Sequence, residues 1–291
     1  MTVARTWSAG LAGMHGAMVE IEVDIAQGVP GVALVGLPDA VVRQSVDRVR
    51  AAVTNAGASF PLRRITIGLS PASMPKQGSG FDLAIAVGVL AAAGEVPPDS
   101  LDDLVLLGEL GLDGAAGGIR GVLPAVLEAA RAGHRRVVVP PANADEAALV
   151  DGIAVLPAAG LREVLAHLRG RRPLEVHERR DPPSPPAGPD LRDVVGQAAG
   201  RRAVEVAAAG GHHVLMAGPP GAGKTMLAER LPGLLPPLDE QAALEVTAIH
   251  SIAGTLPAGA PLLTRPTFEA PHHSATMPAL VGGGSGAIRP G

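Results

Sequence analysis

One run of eight residues has the types and spacing to hold a triphosphate. It reads Gly218, Pro219, Pro220, Gly221, Ala222, Gly223, Lys224, Thr225 and matches G-x-x-x-x-G-K-[ST] at every defined position. Glycines without Cβ let main-chain N–H groups approach phosphate oxygens closely. A helix starting at the lysine adds a partial positive charge at its N-terminus. The Lys224 ammonium then reaches the β and γ phosphates, and the Thr225 hydroxyl ligates Mg²⁺ carried with ATP. ATP and Mg²⁺ are therefore the expected cofactors, with all eight residues as binding residues and Thr225 as the metal contact. The flanks agree. "HVLMA" before the loop predicts a strand, and Met226, Leu227 and Leu231 after it have helical spacing.

Hydrolysis asks for a second strand ending in an acidic pair that holds Mg²⁺ and polarises water. After Thr225 the sole Asp-Glu pair is Asp239-Glu240, in "LPGLLPPLDEQAALE". Pro236 and Pro237 do not fit a central strand, and "DEQAALEV" reads as a helix start with acidic residues in its first turn. No catalytic residue is assigned. The expectation is ATP binding with poor turnover by this chain alone.

The elements that position the loop emerge from the rest of the 291 residues. Apolar residues make up 47% of the chain and aromatics 1%, so the core must be built from Val, Leu, Ile and Ala. The absence of cysteine excludes disulfides, thiolate metal sites and cysteine nucleophiles, and suits a cytoplasmic protein. A net charge of −4 announces no nucleic-acid partner by bulk charge. No signal peptide and no membrane span are expected.

"RRPLEVHERRDPPSPPAGPD", 171–190, reads as a proline-rich linker. It divides the chain into 1–170 and 191–291. The first part alternates strand and helix signals, so the fold class is α/β. "VEIEVDI" and "RRITIGLS" alternate as half-buried strands, and "GVALVG" reads as a central strand. Val42, Val46, Val49 and Val53 mark a helical face, "FDLAIAVGVLAAAG" a buried helix, and "PAVLEAARAG" a helix stopped by Gly133. "LVLLGEL" and "RRVVVPP" flank that helix as strands, and "LREVLAHLRG" closes the unit.

Several runs in order resemble the magnesium-chelatase-like AAA+ ATPases of the YifB/ComM type: "DVVGQ", "GGHHVLMAGPPGAGKTMLAERLPGLLPPL", "ALEVTAIHSIAG" and "APHHSATMPALVGGGSGAIRPG". "GVALVGLPDAVVRQSVDRVRAAVTNAGASFPLRRITIGLSPASMPKQGSGFDLAIAVGVL" and "GELGLDG" resemble the leading domain of the same family. The resemblance implies the start of a P-loop AAA+ domain, cut before the acidic Walker B strand, so that the chain reads as the N-terminal portion of a longer ATPase. It also implies a ring, hexameric in the full-length family, and ATP-driven branch migration or helicase action on DNA in competence. Asp193–Gln197 matches the segment near the adenine, and Val281–Gly284 an insertion that faces the ring pore. Two other readings stand beside it: a chelatase-type motor for tetrapyrrole metal insertion, which lacks this leading domain, and an ATP-binding assembly protein without motor activity.

The leading domain resembles the proteolytic domain of Lon-type proteases, a ribosomal-S5-domain-2-like fold with a Ser–Lys dyad. Aligning "PKQGSGFD" with the protease pattern puts Gly80 at the serine position, with Ser79 one place off. The second motif puts Ala125 at the lysine. Lysine occurs only at Lys76 and Lys224, so an inactive domain is expected. His212-His213 and His272-His273 suggest zinc at first sight, but adjacent histidines on a strand point to opposite faces, so each pair offers at most one ligand, and no cysteine is there to add to it. Arginine pairs at Arg63-Arg64, Arg135-Arg136, Arg171-Arg172 and Arg201-Arg202 are the candidates for DNA phosphates.

Overall fold

The computed structural model describes residues 3–179, 188–257 and 262–283. The middle of the expected linker and the Gly284 end of the expected pore insertion lie outside the described residues.

The N-terminal unit is a seven-stranded mixed sheet between two helical layers. β1 (Ala4–Ala12) and β2 (His15–Ala26) form an antiparallel hairpin closed by Gly13 and Met14. β3 (Gly31–Val35) leads through helix α1 (Ala40–Asn55) to β4 (Arg64–Ser70), which pairs parallel with β3 and antiparallel with β2. β5 (Leu104–Leu106), β8 (Arg136–Val139) and β9 (Ala154–Pro157) continue from β1, all parallel, giving the order β3-β4-β2-β1-β5-β8-β9. A small ladder of β6 (Glu109–Leu110) and β7 (Ala116–Gly117) stands apart.

The alternation in the sequence decides which face each strand buries. Val19, Ile21 and Val23 of β2 and Ile65, Ile67 and Leu69 of β4 meet α1, α2 (Asp82–Ala92) and α5 (Leu161–Leu168) on one face. Val105, Val137, Val139 and Val155 meet α3 (Val122–Arg131) and α4 (Ala144–Ala147) on the other. Each such side chain contributes about 1.5–3 kcal/mol by leaving water. α2 is buried from Asp82 through Leu90, as its unbroken apolar run predicts. It approaches the sheet closely at Gly88, where a Cβ would stand 3.0 Å from Val23 and 3.2 Å from Thr6. A bidentate ion pair links it to α1: Arg48 Nε and Nη2 donate to Asp82 at 2.8 and 3.0 Å. Burial pushes the Asp82 carboxyl up despite the pull of Arg48.

Two expectations need correction. "GVALVG" is an edge strand: among the described residues β3 pairs only with β4, and Val35 stays exposed. A short apolar run does not by itself distinguish a central strand from an edge. "HVLMA" forms no ladder among the described residues, and Leu215 is 96% exposed. Strand identity needs a partner strand, which local sequence does not supply.

Of the expected linker, residues 171–179 run back along the sheet. The Leu174 N–H donates to His167 Nδ1 at 3.0 Å, and the His177 N–H to Val155 O at 2.8 Å. The C-terminal region then builds α6 (Ala198–Gly210), α7 (Lys224–Ala228), α8 (Leu231–Leu234), α9 (Glu240–Ala253) and α10 (Met277–Val281). Its own core is small: Leu191, Val194, Val204 and Leu227. α9 docks on α3, bringing Leu244 and Ala248 to the second face of the sheet unit.

Candidate functional site

The glycine loop hangs between the end of α6 and the start of α7. Gly211 ends α6 at φ +60°, and an extended segment follows. Gly221 and Gly223 adopt φ of +78° and +84°, conformations that side-chain-bearing residues rarely take. Their N–H groups find no acceptor among the described residues, whereas Ala222 N–H donates to Pro219 O at 3.3 Å. Lys224 opens α7, and its Nζ donates to the carbonyls of Gly218 and Pro219, both at 2.8 Å. Pro220 is exposed at the tip. Thr225 is exposed, and its hydroxyl makes no hydrogen bond among the described residues.

The loop is anchored from below. Leu227 is buried against Val204, Leu191 and Val194, and a Cβ on Gly200 would stand 2.8 Å from it. Gln197, at the end of "DVVGQ", donates from Nε2 to Ala222 O at 2.9 Å. Arg230 donates to Met226 O and Asp190 O, tying the far side of α7 to the start of the region. The donor set fits a triphosphate: a flexible ammonium on exchangeable carbonyls, free N–H groups on glycines, and one open hydroxyl. The Gln197 contact escaped sequence reasoning, because nothing local marks a residue 25 positions away as a neighbour.

Asp239-Glu240 is a helix start, as its first-turn composition predicts. Asp239 caps α9 by accepting the Ala242 N–H at 2.8 Å, and Pro236 and Pro237 lie outside any strand. His272 and His273 are exposed, with ring centroids 4.1 Å apart, and His272 Nδ1 lies 2.7 Å from Ser274 Oγ. Among the described residues no cluster of His, Cys, Asp or Glu could hold a metal ion. No helix there is long and apolar enough to cross a membrane.

A second site lies in the sheet unit. Gly80 and Ala125, the positions aligned with the protease serine and lysine, line one cavity of about 850 Å³. Ser79 lies in it too, and its Oγ donates to Glu109 Oε2 at 2.5 Å. Lys76 is not part of this cavity. It is buried, donates to Pro71 O, and burial holds its ammonium below the usual lysine range. No Ser–Lys dyad is assembled. The end of α9 contributes Ile252 and Ala253 to the cavity wall. Beside it Ser251 Oγ donates to the buried Glu146, which also accepts the Leu123 N–H at 2.8 Å, and Gly121 N–H donates to Ser251 O at 3.2 Å. This seam was invisible in the sequence, where Ser251 and Glu146 are 105 residues apart.

Comparison with known proteins gives the two regions related family descriptions. A family profile described as "Subunit ChlI of Mg-chelatase" matches residues 21–143, and one described as "Magnesium chelatase, subunit ChlI" matches 190–291. The chain is therefore of magnesium-chelatase type in both regions. An uncharacterised Mycobacterium tuberculosis protein is 55% identical over 291 residues, 100% of this chain and 58% of the relative. The Escherichia coli protein YifB is 42% identical over 285 residues, 98% of this chain and 56% of the relative. Competence protein ComM of Haemophilus influenzae is 41% identical over 290 residues, 98% and 57% respectively. The chain belongs to the YifB/ComM magnesium-chelatase-like family and spans somewhat over half the length of these relatives. A Lon protease of Trichlorobacter lovleyi is more distantly similar, 25% identical over 183 residues, 59% of this chain and 22% of the relative.

Proposed function

We propose that the chain is the ATP-binding part of a magnesium-chelatase-like AAA+ motor that acts on DNA, joined through a linker to an inactive Lon-type, S5-domain-2-like domain. The single observation carrying this reading is the Lys224 ammonium held on Gly218 and Pro219 carbonyls beside the free N–H groups of Gly221 and Gly223. A triphosphate would take over the ammonium and those N–H groups, and Thr225 would meet its Mg²⁺. Bound Mg²⁺ would neutralise charge on the phosphates; the loop's part is to fix their position. Gln197 holds the loop open from beneath by restraining Ala222. With Asp239 engaged as a helix cap, no acidic pair here serves water activation, so binding without appreciable turnover is the expected behaviour of this chain.

The name of the ComM relative, a competence protein, supports the DNA role. So do Arg63 and Arg64, which are exposed and join no ion pair among the described residues, unlike Arg202, which pairs with Glu205. Ring assembly and a cytoplasmic location complete the proposal. The chelatase descriptions favour a second reading, metal insertion into a tetrapyrrole; strand exchange by the complete protein separates the two.

The test is calorimetry with ATP and Mg²⁺ beside a phosphate-release assay on the same folded sample. Binding heat with background turnover is the expected result. Absence of heat from well-folded protein would sink the reading.

A further inference from the structure

We propose that the cavity around Ser79 and Glu109 binds an extended segment of another polypeptide and leaves it uncut. This does not rest on the nucleotide reading. A Lon protease is distantly similar over 59% of this chain, and Gly80 and Ala125, which the motif resemblance sets at the protease serine and lysine, line the same cavity. Neither position carries a serine or lysine, and the cavity they line has a volume of about 850 Å³. That volume lies within the usual range for ligand sites, roughly 300–1,000 Å³.

The polar groups match a main chain. An extended peptide presents N–H donors and C=O acceptors in alternation, and a cleft that holds it must offer both. Ser79, Gly80 and Phe81 line the cavity, and their N–H groups have no acceptor among the described residues. They suit peptide carbonyls. Glu109, already accepting from Ser79 Oγ, offers further lone pairs to peptide N–H groups. Leu11, Val41, Ile119 and Ile252 supply apolar wall for side chains. Cleavage by a Ser–Lys dyad would need a lysine beside the hydroxyl. Ala125 stands at that position, Lys76 is committed to Pro71 O outside the cavity, and no other lysine lies in the sheet unit. Ile252 and Ala253 belong to α9, so the site is complete only with the C-terminal region docked.

Because the chain has no cysteine, Ser79→Cys introduces a single thiol in the cavity. The probe is fluorescein-labelled β-casein, an unfolded chain, followed by anisotropy against the whole protein and by gel electrophoresis for cleavage. Wild type and unmodified S79C, each with native circular dichroism, should bind casein and leave it intact. S79C carrying a bulky maleimide, attached after folding, should bind at least about tenfold more weakly. Failure of folded wild type to bind, binding unaffected by the maleimide, or cleaved casein would each overturn the proposal. Lys224→Ala should bind casein as wild type does, which separates this outcome from failure of the nucleotide reading.

Discussion

The sheet unit and the glycine-loop region are built from the same small apolar residues, yet they are held together differently. In the sheet unit the side chains of two strand faces close against helices on both sides, and α2 is buried from Asp82 through Leu90. Around the glycine loop the buried core is Leu191, Val194, Val204 and Leu227, while Val195 and Leu215 are 93% and 96% exposed. Buried packing is concentrated in the sheet unit, and the groups that would hold phosphate sit where fewer side chains are buried. A loop that must exchange its own carbonyls for a ligand's oxygens benefits from few competing contacts.

If that contrast is right, stability and nucleotide binding separate by mutation. Asp82→Ala should be the most damaging change. It strands the guanidinium of Arg48 and should cost about 3–5 kcal/mol in urea unfolding, whereas Arg48→Met with Asp82→Leu should recover most of it. Lys224→Ala should leave the unfolding midpoint unchanged but weaken ATP binding in calorimetry by about 1.5–3 kcal/mol. A large loss of stability there would blur the division. Ser251→Ala removes the hydroxyl that reaches Glu146 across the seam and should cost about 1 kcal/mol in thermal unfolding. The same change should raise amide exchange in α9 above that in α2.

The smallest effect concerns pH. Burial, then the positive Arg136, holds the His167 imidazole below its ordinary range, and its Nδ1 accepts the Leu174 N–H. On acidification the unfolded chain takes up this proton first. The stability tied to neutral His167 is thus present above the ordinary histidine value and is lost as pH falls through the depressed one. The protection factor at the Leu174 amide, the observed exchange corrected for its intrinsic pH dependence, should fall below about pH 6.5, before that of β8 does. Equal onset at both sites would contradict a locally tethered 171–179 segment.

Much of the sheet unit was legible because burial follows alternation. Strict period two in "VEIEVDI" and "RITIGLS" fixes which side chains face α2, whatever the neighbours are. Gly133 after α3 is equally local: it takes φ +92° just past the last turn. The edge position of β3 was not legible, since Val32 and Leu34 look alike in a central or an outer strand. "HVLMA" has a strand's composition, but a ladder is a property of two segments, and this one has no partner among the described residues.

The glycine loop shows the same division at the level of the site. Its residue types and spacing, read along the chain, were enough to propose a phosphate cradle, because that chemistry uses main-chain groups of consecutive residues. The Gln197 brace under Ala222, the cavity shared by Gly80 and Ala125, and the seam between Ser251 and Glu146 depend on segments brought together from afar. Only the tertiary structure decided those, since which distant surfaces meet depends on how the sheet orders its strands and buries its two faces.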